Sequence, residues 1–156
     1  MAEKGKKHAI LVPVDFSPYS EAAVRLASDL ANSLSAPLII LHVVHDPGEA
    51  PGYYSVKGKK KQLRRMEDVA SEMLDEFVNK MSGELANSKA MKSASRMLVK
   101  GLPVTRILEV VDTEKPRMVV MGSQGRTGLK HLFLGSKAEQ IVRLCPIPVT
   151  IVKDGH

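Results

Sequence analysis

The sequence contains one cysteine, Cys145, and no tryptophan. One cysteine excludes an intrachain disulfide and a zinc site built from several thiolates. Leu144 and Pro146, the immediate neighbours of Cys145, carry no charge that would activate the thiol, so we interpret it as a structural residue. This use of cysteine suits a reducing compartment, and we expect a cytoplasmic protein.

Long apolar runs are also missing. No run approaches the roughly 18 residues that a membrane-spanning helix needs. The Lys-rich N-terminus is not followed by the apolar core and cleavage site of a signal peptide. Of the 156 residues, 44% are hydrophobic, which is enough for a real core. We expect one domain over residues 1–156, because single domains commonly have roughly 100–200 residues.

Acidic residues are absent from the segment 57–65, which holds a large part of the net charge of +6. Such a run can contact nucleic acid, an anionic membrane surface or an acidic protein. Nucleic acid is the least favoured partner, because only Tyr53 and Tyr54 lie nearby as aromatic residues and no nucleic-acid-binding motif is present. Two interpretations remain, a solvated helix start and a surface for an acidic protein partner. Cations oppose the dipole at a helix N-terminus, which favours a loop over the first part of the run. Its basic residues are Lys57, Lys59, Lys60, Lys61, Arg64 and Arg65.

Apolar runs alternate with segments of helical spacing along the chain. The runs predict five buried strands, at 9–14, 37–44, 94–100, 117–121 and 147–152. The spacing predicts four helices, at 18–34, from about 62 to a C-cap at Gly83, from 103 to about 112, and at 136–144. The packed face of the first helix is expected to contain Ala23, Leu26, Ala27, Leu30 and Leu34.

This alternation predicts an α/β fold, a doubly wound five-stranded parallel sheet with helices on both faces, as in Rossmann-like proteins. Pro146 and Pro148 place the last strand at an edge, because proline cannot donate to a central ladder. With the strand order 3-2-1-4-5, the switch in strand order lies between the strand ending at Asp15 and the strand ending at Gly122. Such sheets bind ligands at that point.

A glycine-rich loop leads from the fourth strand into the last helix. Gly122, Gly125 and Gly128 recur at intervals of three, and Gly135 precedes the helical segment. Glycines let the backbone approach a ligand, and a helix N-terminus presents unpaired N–H groups to an anion. The spacing differs from a Walker loop and from the dinucleotide fingerprint. We therefore expect a phosphate cradle opposite Asp15, which suits a nucleotide.

The glycine loop resembles the universal stress protein family, whose ATP-binding members carry Gly-x2-Gly-x9-Gly-Ser/Thr. Gly122, Gly125, Gly135 and Ser136 match this motif position for position. The resemblance covers nearly the whole chain. It includes Val-Pro-Val-Asp-Phe-Ser at 12–17, Leu-His-Val-Val at 41–44, Gly-x-Pro at 101–103 and Cys-Pro-Ile-Pro-Val at 145–149.

The resemblance implies an ATP site in which Asp15 holds the adenosine end and the backbone of Val43 lies against adenine. Replacing Gly122 with Val is expected to block binding while leaving the fold intact. Mg²⁺ or Mn²⁺ would be held by the phosphates. The expected binding residues are Pro13, Val14, Asp15, Val43, Met121, Gly122, Ser123, Gly125, Arg126, Gly135, Ser136, Lys137 and Ala138.

Three cations near the motif have two interpretations each. Arg126 and Lys130 are either phosphate contacts or solvated loop residues. Lys137 stands where the family usually has a small apolar residue, and is either a further phosphate contact or merely exposed.

Catalysis has little support in the sequence. Phosphoryl transfer needs a positioned base or water-holding group, and the loop offers only His131. We therefore expect a nucleotide-dependent stress-response or signalling module. The alternatives are a slow ATP hydrolase and an interaction module that uses the segment 57–65 without nucleotide. The apolar last strand, 147–152, is expected to pair with its copy in a homodimer, as the resemblance also implies.

Overall fold

A computed structural model of the chain describes residues 8–45, 57–125 and 134–153, with side chains in the second range described from residue 65 onward. The strands are β1 (Ile10–Pro13), β2 (Leu38–His45), β3 (Ser95–Gly101), β4 (Met118–Gly122) and β5 (Val149–Val152). The helices are α1 (Pro18–Leu34), α2 (Lys57–Glu84), α3 (Lys89–Lys92), α4 (Pro103–Glu114) and α5 (Ser136–Leu144). In these ranges, no helix has both the length and the apolarity to cross a lipid bilayer.

The strands form one parallel sheet in the order β3-β2-β1-β4-β5. β1 is apolar along its whole length because helices cover both faces of the sheet at this strand. Ile10 and Val12 pack in one core cluster with α1, α2 and α3, while Leu11 packs in the other with α4 and α5. The predicted fold class, strand order and edge position of the last strand are confirmed.

On one side of β1, the paired strands β2 and β3 continue past the end of β1. Pro13 is the last residue of β1 to pair with β2, opposite Leu41. Residues 42–45 of β2 then pair with residues 98–101 of β3. β2 and β3 therefore extend beyond the end of β1 at the carboxyl edge of the sheet.

Helix α2 corrects two predicted boundaries. It begins at Lys57, so the expected loop at the start of the basic run is wrong, although the side chains of 57–64 lie outside the description. It ends at Glu84, so Gly83 lies inside the helix and is not its C-cap. The buried positions from Ala70 to Met81 anchor the helix to the sheet. Such packing stabilises a helix more than local capping preferences do.

The packed face of α1 also differs from the predicted one. Ala23 and Ala27 are buried as expected, but Leu26 and Leu34 are 36% and 44% exposed. The other buried positions are Ser20, Val24, Ser28 and Ala31. Small side chains on this face let the helix lie close to the sheet, so Leu26 and Leu34 lie outside the contact, while Leu30 packs half-buried against the core. Helix α3 was not predicted, because four residues are too few to show a helical period.

Candidate functional site

The loops after β1 and β4 meet at the carboxyl edge of the sheet. These two strands are paired, although they are far apart in sequence. A Cβ atom added to Gly125 would lie 2.7 Å from Oδ2 of Asp15. The backbone of the glycine loop therefore comes into contact distance of the carboxylate, and the two predicted halves of the site are brought together.

Asp15 is oriented by the first turn of α1. Its Oδ1 accepts hydrogen bonds from the Ser20 hydroxyl at 2.7 Å and from the Ser17 N–H at 3.1 Å. The N–H of Asp15 donates to Ser20 Oγ at 2.9 Å. Oδ1 is thus directed into α1, while Oδ2 lies beside Gly125. Ser20 was not among the residues predicted from the sequence. The signal that could have indicated it is a serine in the first turn of a helix that begins shortly after an aspartate.

The residue after Asp15 has an unusual backbone. Phe16 has a φ of 67°, in the left-handed region that costs a non-glycine residue roughly 1–2 kcal/mol. Its ring lies 4.3 Å from the ring of His42 and 5.5 Å from that of Phe77, measured between centroids. Contacts from β2 and α2 therefore hold the turn that presents Asp15. Nothing in the local sequence indicated this conformation, because it depends on two distant side chains.

His42 contacts the same turn through a hydrogen bond. Its Nδ1 lies 2.7 Å from the carbonyl oxygen of Val14. A carbonyl only accepts, so Nδ1 carries the hydrogen. His42 was not among the predicted binding residues, although it lies in the Leu-His-Val-Val segment that carries part of the family resemblance.

The predicted residues beside Asp15 differ in their exposure. Pro13 and Val14 are buried, and the Val14 N–H donates to the Leu41 carbonyl at 2.8 Å. Val43 is half-buried in the part of β2 that continues past β1, and packs against the core cluster of α4 and α5. Any ligand contact from Pro13 and Val14 would therefore involve mainly their backbone.

Gly122 lies against the first turn of α1. A Cβ atom there would lie 2.7 Å from the Cβ of Tyr19 and 3.0 Å from its backbone carbonyl carbon and oxygen. The first turn of α1 fills this space. The expectation that Gly122→Val leaves the fold intact is therefore wrong, since the added side chain would push α1 away from β4.

The glycine loop is closed at its base by hydrogen bonds. The N–H of Ser123 donates to the Val152 carbonyl at 2.9 Å, and the N–H of Gly135 donates to the Ser123 carbonyl at 2.7 Å. Ser123 and Met121 are buried, at 3% and 7% exposure, so their side chains belong to the scaffold rather than to an open surface. The two ends of the motif are thereby held side by side.

Helix α5 begins at this closed base. Gly135 is its N-cap, and because glycine has no side chain, no side-chain hydrogen bond caps the helix. Ser136 and Lys137 are exposed, whereas Ala138 is buried. The first N–H groups of a helix have no partner within the helix and attract anions. This end of α5 is therefore chemically suited to phosphate.

Several expected groups lie outside the described residues, namely Arg126, Lys130 and His131. Within the described ranges, no group of three or more His, Cys, Asp or Glu side chains could hold a metal ion. Ion pairs between α1 and α2 raise the pKa of Arg25, mainly through Glu84, and that of Lys80, mainly through Glu21. These ion pairs hold helices together and are not part of the loop site.

Two open depressions lie elsewhere on the described surface. One, of about 330 Å³, lies at the amino ends of the strands and is lined by His8, Val111, Pro116 and Ile147 among others. The other lies along α4. Neither contains a motif residue. The convergence of Asp15 and the glycine loop is the stronger indication of function, because its chemistry is specific to a ligand class.

Comparison with protein families gives one match across almost the whole chain. The model of the universal stress protein family matches residues 7–153. A universal stress protein of Methanocaldococcus jannaschii is 27% identical over 151 residues, covering 92% of this chain and 93% of that protein. One from Thermus aquaticus is 28% identical over 148 residues, covering 92% and 97%.

Solved structures share the fold. The universal stress protein UspA of Lactobacillus plantarum has a TM-score of 0.79 at 22% identity, covering 94% of this chain and 97% of that one. A universal stress protein in complex with cAMP has a TM-score of 0.62 at 22% identity, covering 96% and 99%. One from Archaeoglobus fulgidus in complex with dAMP has a TM-score of 0.61 at 21% identity, covering 94% and 98%. Two of these neighbours therefore hold adenine nucleotides.

Proposed function

We propose that this chain, which belongs to the universal stress protein family, binds ATP in the crevice between β1 and β4 and acts as a nucleotide-dependent stress-response module. The observation that carries the proposal is the approach of Gly125 to the carboxylate of Asp15, at the switch in strand order. The motif Gly-x2-Gly-x9-Gly-Ser lies at the same place. The cAMP and dAMP bound by structural neighbours support an adenine nucleotide.

Each side of the crevice suits one part of the nucleotide. The carboxylate of Asp15, whose Oδ2 lies beside Gly125, is the acceptor for a ribose hydroxyl. The backbone of Val14 and Val43 borders the space for adenine. The N-terminus of α5 supplies N–H groups for phosphate, with the exposed Lys137 in its first turn.

A divalent ion, Mg²⁺ or Mn²⁺, would be held mainly by the phosphates. The described part of the chain has no cluster of three ligating side chains that would replace them. We assign no catalytic residue. The proposed role of ATP is to be bound, and to alter the contacts of the protein while it is bound.

Gly125→Ala tests the site directly. The added methyl group would lie 2.7 Å from Asp15 Oδ2, so the carboxylate must move from its place beside the loop. Hydrogen bonds to charged groups contribute about 1.5–3 kcal/mol, so we expect ATP affinity to fall by roughly tenfold or more. Isothermal titration calorimetry with ATP and magnesium measures this change.

Gly83→Ala is the matched control, because nothing lies within 4 Å of its added Cβ atom. It should leave ATP affinity unchanged. The proposal fails if the folded wild-type protein gives no heat of binding at millimolar ATP. It also fails if Gly125→Ala and wild-type protein bind ATP equally. AMP should bind more weakly than ATP, and equal affinities would remove the role proposed for α5.

A further inference from the structure

Two aromatic rings contact Phe16 in the turn that follows β1. The ring centroids of His42 in β2 and Phe77 in α2 lie 4.3 Å and 5.5 Å from that of Phe16. Phe77 is 6% exposed, and Phe16 and His42 are half-buried. These ring contacts therefore join the turn to two elements that are distant in sequence.

The peptide unit between Val14 and Asp15 is held at both ends. Its carbonyl oxygen accepts a hydrogen bond from His42 Nδ1 at 2.7 Å. Its N–H donates to Ser20 Oγ at 2.9 Å. The orientation of this peptide plane sets the direction in which the Asp15 side chain leaves the backbone. Ser20 belongs to the element that follows the turn, whereas the side chain of His42 connects this peptide to the neighbouring strand β2.

The strained residue comes directly after this peptide. Phe16 has a φ of 67°, which L-residues other than glycine rarely adopt. Such a conformation persists only where the surroundings hold it. His42 contributes twice, with its ring against Phe16 and its N–H on Val14. The same side chain thus acts on both residues that flank Asp15.

We infer that His42 is a positioning residue for the carboxylate of Asp15. Its hydrogen bond to Val14 fixes the backbone from which Asp15 extends, so that Oδ2 lies beside Gly125. His42 acts through Asp15 and does not itself contact the ligand. The consequence for affinity rests on the proposed nucleotide site, but the effect on Asp15 exists in the nucleotide-free protein and is measured there.

Two substitutions separate the hydrogen bond from the ring contact. His42→Phe keeps a ring against Phe16 and removes the donor to Val14. His42→Asn keeps a donor at the position of Nδ1 and removes the ring. NMR of the nucleotide-free protein reports the backbone amide and side-chain carboxyl resonances of Asp15. We expect these resonances to shift in His42→Phe and to return toward wild-type values in His42→Asn.

Leu98→Ala is the matched control. Leu98 is the register partner of His42 on β3 and is half-buried, so its truncation disturbs the same part of the sheet without a contact to the Val14 carbonyl. We expect it to lower the thermal midpoint while leaving the Asp15 resonances at wild-type positions. If the role of His42 were purely structural, His42→Phe would resemble Leu98→Ala, with a lower thermal midpoint and unchanged Asp15 resonances.

ATP calorimetry on the same variants completes the experiment. We expect at least a tenfold loss of affinity in His42→Phe, partial recovery in His42→Asn, and wild-type affinity in Leu98→Ala. The inference is overturned if the Asp15 resonances in His42→Phe match wild type, or if His42→Asn shifts them as far. If His42→Phe does not fold, His42→Ala replaces it as the variant without the donor, and an equal displacement of the Asp15 resonances in His42→Ala and His42→Asn overturns the inference.

The two proposals fail separately. If wild-type protein binds no ATP, the proposed function fails, while the NMR comparison still decides whether His42 positions Asp15. If ATP binds normally and Asp15 is unmoved in His42→Phe, only the positioning role is lost.

Discussion

Gly122 and Gly125 are three positions apart in one motif, yet different atoms occupy the space beside each. Gly122 faces the backbone of Tyr19 in α1, which cannot move without shifting the helix. Gly125 faces the end of the Asp15 side chain. One glycine therefore allows a helix to pack against β4, and the other allows the loop to approach a functional group.

Gly122→Ala is expected to destabilise the fold. Its methyl group would lie 2.7 Å from Tyr19 Cβ, and overpacking of this kind costs about 1–3 kcal/mol. The free energy of unfolding, measured by chemical denaturation, should fall by that amount. Gly83→Ala, at an open helix position, should be neutral or stabilising. An unchanged midpoint for Gly122→Ala would show that α1 does not lie against β4 as described.

Ser20 and Ser28 form a matched pair, because both are buried serines of α1. Ser20→Ala removes both bonds to Asp15 and should reduce stability by about 1–3 kcal/mol and also weaken ATP binding. Ser28→Ala removes only the 2.6 Å bond to Ser88 and should reduce stability alone. Denaturation and calorimetry on the two variants check this. Equal ATP affinity in both would contradict the role given to Ser20.

At the scale of elements, the short helix α3 depends on side chains of α1. Asn32 donates to Ser88 Oγ at 2.9 Å, and its Oδ1 accepts from the Ala90 N–H at 2.9 Å. Ser88 Oγ also accepts from the Met91 N–H at 3.1 Å. Four residues could not form a stable helix alone. The polar contacts to α1 explain why a helix forms here.

Asn32→Ala should therefore loosen α3 locally and also lower the free energy of unfolding of the whole protein. Loss of its bonds leaves partners in a part-buried site unsatisfied, at a cost of about 1–3 kcal/mol. Hydrogen exchange of the Ala90 and Met91 amides should become faster. Asn79→Ala, which removes an exposed bond to Arg96, is the control and should change both measures little. Unchanged exchange at Ala90 in Asn32→Ala would contradict this account.

The two edge strands meet solvent differently. On β3, Arg96 pairs with Asp75 at 2.6 Å and Lys100 pairs with Glu67 at 3.0 Å, both across to α2. These charged side chains protect the edge against pairing with another chain. On β5, the residues are Val149, Thr150, Ile151 and Val152, all half-buried in the single chain. Of these two edges, β5 is the one without charged side chains and is therefore better suited to pairing with a second copy.

At the scale of the whole molecule, we propose a homodimer through β5. The carbonyls of Pro148 and Val152 accept hydrogen bonds from Val119 of β4 and from Ser123, which follows β4. Backbone groups alternate in direction along a strand, so the N–H groups of Val149 and Ile151 face away from β4. Val142 and Leu144 of the adjoining helix α5 are 47% and 56% exposed. A second copy would cover this apolar edge.

Val149→Pro tests the dimer, because proline removes an outward N–H that the β4 ladder does not use. Wild-type protein should scatter light as a dimer, with twice the chain mass of 17.0 kDa. The Val149→Pro variant should scatter as a monomer at the same micromolar concentration. Val149→Ala keeps the N–H and should remain dimeric. A monomer mass for wild-type protein would exclude this assembly.

Local patterns in the sequence determined the order of strands and helices, the edge position of β5 and the place of the glycine loop. Apolar runs and helical spacing depend on near neighbours in the chain, and parallel βα units can be connected in few ways. Pro146 and Pro148 predicted the edge position of β5 in the sheet, because proline has no N–H to donate to a central ladder. The family motif also lay within one continuous stretch.

Only the tertiary structure decided what each of these residues touches. Phe77 and His42 reach Phe16 from different elements, and their contacts hold a backbone conformation that no local pattern predicts. Tyr19 fills the space beside Gly122, so a glycine at this position allows α1 to pack against β4. Side-chain contacts between distant segments depend on the position and orientation in which the helices pack on the sheet. The sequence therefore located the candidate site, while the packing around Asp15 determined which residues shape it.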